Sequence, residues 1–367
     1  MKNSLSARSP AIIRDLGHPR YAADALRGFA ARLLRLAGLA AERAQVVAEV
    51  LVEADLLGHD THGLDMLARY LDELLTGRMA REGEPETLGD SGSALTWDGR
   101  RLPGPWLVKR AIATARERLA AHPTVTVVIR RSHHIGCLQA YLKPVADDGL
   151  VILLTCSDPS GAGVTPHGGV ASRLTPNPLA AGFPTGGAPV LIDVSMSTTT
   201  NAMTKRLYEE GARLPGPWLV DSNGLPTDDP AVLFGERRGA LLPLGGQDLG
   251  HKGFALALLV EALTSGLAGH GRADGPKEWG ASVFLQLIDP GAFAGRDAFV
   301  RETGRLAELC RTTPVAAGAP PVRLPGERAL ARRAAQLEGG VTLRASILES
   351  LRPWADRFGV GLPQPLA

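Results

Sequence analysis

The apolar pattern of this 367-residue chain changes period near residue 120, and that switch limits the folds open to it more than any other feature. Before it, apolar side chains recur every three to four positions. Leu26, Phe29, Leu33 and Leu36 do so over residues 21–37, and Val46, Val47, Val50, Leu51 and Ala54 over 40–57, with Gly38 in the turn between. This spacing predicts two amphipathic helices, then a third over 64–75 and, past Pro103-Gly104-Pro105, a fourth over 107–119. After the switch come short unbroken runs at 125–129, 150–155, Val190–Val194 and Ala281–Ile288. Runs of that kind suit strands covered on both faces. Residues 253–267 read as an apolar core helix of the same region, and the chain then returns to helices through Pro320-Pro321 and Leu324-Pro325-Gly326-Glu327. The length exceeds the ~250–300 residues at which one core stops growing. The expectation is an α/β protein in two domains: a sheet domain over 121–309, and a helix-rich domain built from both chain ends, 1–120 plus 310–367.

Charge and cysteine usage remove several function classes. Forty Lys and Arg against 38 Asp and Glu leave a net charge of +2 with no basic run, which argues against nucleic acid or an anionic membrane as partner. No stretch approaches the ~20 apolar residues of a bilayer span, and residues 1–20 lack the continuous apolar core of a signal peptide. Cys137, Cys156 and Cys310 form an odd set without CxxC spacing, which fits a reducing cytosol, with Cys137 and Cys156 as small buried thiols. A cytoplasmic protein is expected.

The densest chemistry lies in Gly58-His59-Asp60-Thr61-His62-Gly63, at the end of the second helix. Histidine exchanges protons near neutrality, and a hydroxyl and a carboxylate beside it make a proton-transfer unit. A second pair, His133-His134 in Ser132-His133-His134-Ile135-Gly136, follows the run at 125–129. Asp193 interrupts an otherwise apolar strand, where a carboxylate needs a partner; a histidine or loop N–H groups would serve. Gly161-Ala162-Gly163 follows a strand, yet Pro166 stands where a Rossmann fingerprint needs glycine or alanine opening a helix, so that fold is not expected. Gly245-Gly246-Gln247-Asp248-Leu249-Gly250-His251-Lys252 has its lysine one residue late for a P-loop, but a glycine-rich helix start with Lys252 still favours an anion. The hydroxyl-rich turn from Ser195 through Ser197 to Thr200 is a second candidate phosphate cradle, and Asn177 in Thr175-Pro176-Asn177-Pro178 is placed to meet a carboxamide or ribose. His59, His62, His133, His134 and His167, with Asp60 and Asp193, supply donors enough for zinc. No HExxH or paired CxxC fixes a third ligand, and no metal site is predicted. A metal-dependent hydrolase and a nucleotide-binding protein without turnover stay open on these residues.

In order and spacing, these motifs resemble the malate/L-lactate dehydrogenase family of NAD(P)-dependent oxidoreductases that lack the Rossmann fold. The resemblance runs over residues 23–345 and includes Thr175-Pro176-Asn177-Pro178-Leu179-Ala180, Ile192-Asp193-Val194-Ser195, Trp218-Leu219-Val220-Asp221, Thr227-Asp228-Asp229-Pro230, His251-Lys252-Gly253 and Leu324-Pro325-Gly326-Glu327. It implies reversible hydride transfer between NAD or NADP and a small 2-oxo or 2-hydroxy acid or a cyclic imino acid, in a homodimer. It places the acid/base role on His62, with Thr61 beside it, Asp193 orienting its imidazole and His134 near nicotinamide and substrate. Cofactor contacts would fall on Ser132, His134, Gly136, Thr175, Asn177, Pro178, Leu179, Ser195, Ser197, Lys252, Gly326 and Glu327, and substrate contacts on His59, Met66 and Arg69.

Two positions depart from the family pattern. Thr61 stands for its serine, keeping the hydroxyl. Met66 stands where the family carries an arginine that grips the substrate carboxylate in a bidentate pair. Arg69, three residues on and on roughly the same helical face, is the nearest replacement in the sequence.

Overall fold

The structure, a computed structural model, describes residues 18–366, so the reading of the N-terminal segment falls largely outside the described residues. Ten α-helices lie among them: α1 (Ala23–Leu36), α2 (Ala41–Leu57), α3 (Leu67–Leu75), α4 (Gly104–Arg118), α5 (Leu142–Asp147), α6 (Asn201–Glu209), α7 (Gly246–Glu261), α8 (Arg296–Arg311), α9 (Glu327–Gly339) and α10 (Ala345–Phe358). The helical periodicity is borne out at α1 to α4. Gly38, at φ +107°, makes the α1–α2 turn, and the Leu39 amide donates back to the Leu34 carbonyl. The apolar faces of α1, α2 and α3 close on α10 from the far end of the chain, with Leu26, Leu33, Leu51, Leu71, Ile347 and Leu351 fully buried between them.

Seven strands form the central sheet: β1 (Glu86–Asp90), β2 (Ala94–Asp98), β3 (Thr124–Ser132), β4 (Val151–Ser157), β5 (Leu179–Phe183), β6 (Val190–Val194) and β7 (Ala281–Ile288). Their order is β1-β2-β3-β7-β4-β5-β6, and only β2 and β3 run parallel. A doubly wound parallel sheet is therefore absent, as the failed fingerprint implied. Gly161 and Gly163 are small for a packing reason instead: a Cβ on either would press on Thr175 or Asn201. One face of the sheet is covered by α4 and the 138–146 segment, through Leu107, Ala111, Leu142 and Val145 against Val127, Ile129, Ile152 and Leu285. Val128, Leu153 and Phe284 face Leu263 and Ala268 on the other. Truncating a residue as enclosed as Leu285 costs about 2–5 kcal/mol.

Three expectations change. β1, β2 and α4 belong to the sheet layer, so that layer starts near residue 86 and not at 121. The joining hydrogen bonds, Leu95 beside Val127 for one, are non-local and invisible to periodicity. The helix expected at 253–267 begins at Gly246 and continues beyond Glu261 as a π-turn, Ala262–Gly266. It is not a core helix: Leu249, Leu256, Leu258, Leu259 and Leu267 are exposed. Finally, β5 is a strand that Leu-Ala-Ala-Gly-Phe does not announce, because small residues carry little β signal.

The register gathers the loops. Ser132 at the end of β3 stands opposite Ala281 at the start of β7, and Ser157 at the end of β4 opposite Ser282. Leu179, opening β5, pairs with Thr155 and with Val194 near the end of β6. Five chain segments thus meet at one edge of the sheet, under the C-terminal end of α2. Gly104 lets α4 seat there, since a Cβ would overlap the carbonyl oxygens of His133 and His134. Gly104→Ala should lower stability by about 1–3 kcal/mol in urea unfolding. Gly28→Ala, at an exposed position of α1 with nothing within 4 Å of the added methyl, should raise it by about 0.5–1 kcal/mol. Equal effects would contradict this account of Gly104.

Candidate active site

The His-Asp-Thr-His loop is pinned at both ends. Gly58, at φ +90°, ends α2 with its amide on the Asp55 carbonyl, and Asp55 of the last turn accepts the Leu64 amide at 2.9 Å. Gly63 is required because a Cβ would overlap the Asp55 carboxyl. Burial raises that carboxyl well above the usual range. The loop then presents its two histidines differently.

His62 has Nδ1 at 3.0 Å from the Thr61 hydroxyl, and its ring centroid lies 5.8 Å from that of His134. Burial, helped by His59, lowers its pKa to about 4, so the ring is neutral at pH 7. His134 is neutral for the same reason: burial first, then the nearby His62, His133 and Arg69. Its Nδ1 takes the Gly136 amide at 3.3 Å and lies 2.8 Å from the Tyr70 hydroxyl, which assigns the remaining proton to Nε2. The His134 ring stacks on Trp279, with centroids 4.7 Å apart and 23° between planes. The Arg69 guanidinium lies over the same indole, 3.4 Å from its centroid.

The hydrogen bond expected from Asp193 to His62 is not formed. Asp193 accepts the Gln139 amide at 3.0 Å and lies 3.8 Å from the Cys137 thiol, and the imidazole that acts on it is His59. His59 in turn lies 2.8 Å from the Gln139 side-chain oxygen. The left-handed turn at Gly58 sends His59 toward β6 and His62 toward His134. Burial raises the Asp193 carboxyl despite the opposing field of His59. Ligand atoms of His59, Cys137 and Asp193 lie within 4.8 Å of one another. Burial also pushes the Cys137 thiol well up, so it serves as an S–H donor to Asp193 in a closed network. The other histidines considered for zinc diverge: His133 is buried against Glu73 at 3.3 Å, and His167 faces His251 with rings 5.7 Å apart.

Several expected cofactor residues have their polar atoms engaged by the fold. Asn177, fully buried at φ +42°, accepts the Thr175 hydroxyl and donates to the Ala257 carbonyl and to Glu261, so it fixes the 175–178 turn and has no amide group free for a ligand. The Pro178 carbonyl takes the Thr155 hydroxyl at 2.6 Å, and Leu179 opens β5. Glu327 caps the Leu324 amide and pairs with Arg311, while Gly326 is glycine because a Cβ would meet Leu191 at 2.8 Å. The Ser197 hydroxyl donates to the Thr199 carbonyl, and the Ser195 hydroxyl weakly to that of Ser197. The Ser132 hydroxyl donates to the His133 carbonyl, leaving the main chain of 132–136 beside the His62–His134 pair. Gly136 is at φ +73°. Lys252 is exposed on the second turn of α7, whose start is tied to the 196–198 turn. Met66 is half-buried against the helical core.

The sequence reading did not single out Tyr70, Gln139 or Trp279 as site residues. Only Trp279 gave a signal, an aromatic just ahead of an apolar strand.

A sequence profile of the malate/L-lactate dehydrogenase family matches residues 21–352. The chain is 33% identical over 344 residues to an L-lactate dehydrogenase of Cupriavidus necator, covering 92% of this chain and 97% of that one. It is 32% identical over 343 residues to a Δ1-pyrroline-2-carboxylate/Δ1-piperideine-2-carboxylate reductase of Pseudomonas syringae pv. tomato, covering 88% and 93%. Among solved structures, the malate dehydrogenase of Pyrococcus horikoshii superposes with a TM-score of 0.85 at 26% identity, over 96% of this chain and 98% of that one.

A histidine held neutral in the fold takes up its proton only on unfolding. The cost is absent above the unfolded pKa of about 6.5 and grows as pH falls toward the folded value, about 4 for His62. Between pH 7 and pH 5, the stability of His62→Gln relative to the parent should therefore shift by about 2 kcal/mol in favour of the variant. Parallel pH curves for the two would show that His62 is not held neutral.

Proposed function

Because the chain belongs to the malate/L-lactate dehydrogenase family, we propose that the sheet-edge cleft is its catalytic centre, with His62 as the acid/base group. The protein is an oxidoreductase that exchanges a hydride between a nicotinamide cofactor and a small substrate at a CH–OH or CH–NH carbon. Its named relatives are dehydrogenases and reductases, and neither a metal-dependent hydrolase nor a silent nucleotide binder finds support among them.

The observation that carries the reading is the state of His62. Its ring is neutral, Nδ1 is at the Thr61 hydroxyl, and Nε2 has no partner among the described residues. A hydroxyl both donates and accepts, so Thr61 supports the imidazole with its Nδ1 bare or protonated. A neutral Nε2 takes the proton of a substrate hydroxyl or amine in the oxidative direction. In reduction it must first be charged, and an anionic substrate beside it supplies the field that raises its pKa. The nicotinamide, when bound, supplies or accepts the hydride.

His134 and Trp279 form a flat wall, and the His134 Nε2–H has no described partner and suits a carboxamide oxygen. The cofactor, NAD or NADP, would be held by the main chain of Ser132 to Gly136, the Thr175–Leu179 turn, the Ser195–Ser197 turn and Lys252. Asp193 and His59, joined through Gln139, line the wall opposite. The substrate is a small 2-oxo or 2-hydroxy acid or a cyclic imino acid whose carboxylate pairs with Arg69. A cytoplasmic location fits the three free cysteines. No helix of the described residues is long and apolar enough to cross a membrane. The same reading keeps two domains, with residues 86–118 assigned to the sheet layer.

His62→Gln should lower kcat by ~10²–10⁴, while fluorescence titrations with NADPH and NADH give the Kd of the parent. Undiminished turnover would remove His62 from the mechanism, and lack of binding to either cofactor would remove hydride transfer.

The exposed leucines of α7 support a homodimer, since monomers rarely expose so continuous an apolar strip. The double change Leu256→Glu and Leu259→Glu should halve the mass measured by light scattering. A parent that already elutes as a monomer would exclude the dimer.

A further inference from the structure

Three of the four non-glycine residues with positive φ among the described residues lie together: Arg100 at +48°, Arg101 at +60° and Arg131 at +49°. The left-handed region crowds the Cβ of an ordinary side chain, so such a cluster has to be held from outside. The holder is Asp98, the last residue of β2, whose side chain is 1% exposed. Its Oδ1 accepts the Arg100 amide and the Arg131 Nε–H, both at 2.9 Å. Its Oδ2 accepts from the Arg130 Nε at 2.9 Å and from the Arg131 Nη2 at 2.8 Å. Arg131 is thus gripped in a bidentate pair. Burial works against the Asp98 charge, and the hydrogen bonds of Arg131, the Arg100 amide and Arg130 outweigh it, holding the carboxyl below the usual range. Three backbone bonds lace the two segments together: the Gly99 amide donates to the Arg130 carbonyl at 2.8 Å, the Arg101 amide to that of Arg131 at 2.7 Å, and the His133 amide to that of Leu102 at 3.2 Å.

The pairing of β3 with β7 shows what this arrangement holds. Val125, Val127 and Ile129 stand opposite Leu287, Leu285 and Val283, on the face covered by α4. An unbroken alternation would put Arg131 next on that face, opposite Ala281. Ser132 takes the place instead, because Arg130 and Arg131 together stand against Ser282 alone. This is a β-bulge, in which one extra residue leaves the ladder and re-aims the strand beyond it. It keeps a guanidinium out of the apolar layer of Leu107, Ile129 and Ala281 and delivers it to Asp98. Directly beyond it come His133 and His134, whose carbonyl oxygens lie against Gly104. Without the bulge, Ser132 would turn to the opposite face and carry the two histidines with it.

We propose that Asp98 is a positioning residue of the active site: by holding Arg131 in the left-handed bulge, it aims the 132–134 segment so that His134 forms the wall on which the nicotinamide rests. This inference rests on the hydride-transfer reading of the cleft and adds what places that wall.

The test compares Arg131→Ala with Arg131→Gly. Both remove the guanidinium and its pairing with Asp98, and only glycine takes a φ near +49° without strain. Kd for NADH and for NADPH is read by cofactor fluorescence, and exchange of the amide hydrogens over residues 131–137 by mass spectrometry. For the cofactor the parent binds more tightly, Arg131→Ala should have a Kd at least tenfold higher than Arg131→Gly, with faster exchange over 131–137. Asp98→Asn should resemble Arg131→Ala. Adding Arg131→Gly to Asp98→Asn should restore most of the affinity, where adding Arg131→Ala restores little. That difference separates placement of the backbone from relief of an unpaired cation, since both additions remove the same charge. Alanine and glycine variants alike in Kd and exchange, or an Asp98→Asn protein with the Kd and exchange of the parent, would overturn the inference. If Asp98→Asn does not fold, the two single Arg131 variants decide the question. A parent that binds neither cofactor removes the hydride-transfer reading; an exchange difference between alanine and glycine would then still sustain Asp98 and Arg131 as the device that sets this segment.

Discussion

The site depends on the register of β7 between its two antiparallel neighbours. Ala281 opposite Ser132 and Ser282 opposite Ser157 bring the ends of β3 and β4 and the start of β7 to one level. Because side chains alternate along a strand, a one-residue slip would exchange Val283, Leu285 and Leu287 with Ser282, Phe284 and Gln286 between two differently packed faces, and that misfit holds the alignment. Trp279 sits two residues ahead of that strand, and so the indole that supports Arg69 and stacks on His134 is placed by the sheet core. Gly104 and Gly280 keep the edge close-packed, since a Cβ on either would run into the main chain of 132–134.

Around that edge, burial sets the protonation states more than charge pairing does. His62, His133 and His134 are all driven toward the neutral ring, and Asp55 and Asp193 toward the neutral acid. Glu73 is the exception, since its hydrogen bond with His133 lowers its carboxyl to about 2. The partner of His62 is a hydroxyl and not a carboxylate, which leaves its pKa free to move with what binds.

The helices were legible because a period of 3.6 places Leu26 and Leu33 on one stripe of α1, and Val47 and Leu51 on one of α2, whatever the rest of the chain does. The strands at 124–132 and Ala281–Ile288 were legible for the same kind of reason. β1 and β2 were not, since Glu86–Asp90 is exposed throughout and pairs only with a strand it cannot signal to. Among site residues, the histidine clusters announced themselves by density. Asn177 and Glu327 carried the appearance of ligand contacts, yet the fold has engaged them in a turn and in an ion pair with Arg311. Tyr70 and Gln139 gave no signal: a tyrosine among leucines and a glutamine in an apolar segment look like ordinary packing until their partners arrive from other elements.

The sequence by itself determined the α/β class, the exclusion of a Rossmann fingerprint, the family and the His-rich loop, all of which rest on local spacing. Tertiary structure alone decided which imidazole meets which partner. The turn at Gly58 gives Asp193 to Gln139, within the field of His59, and leaves His62 with Thr61 and His134. It also decided that Arg69 lies over Trp279, 210 positions away in the chain. Such pairings follow from strand register and helix packing, in which residues far apart in sequence become neighbours because the apolar surfaces between them must leave water.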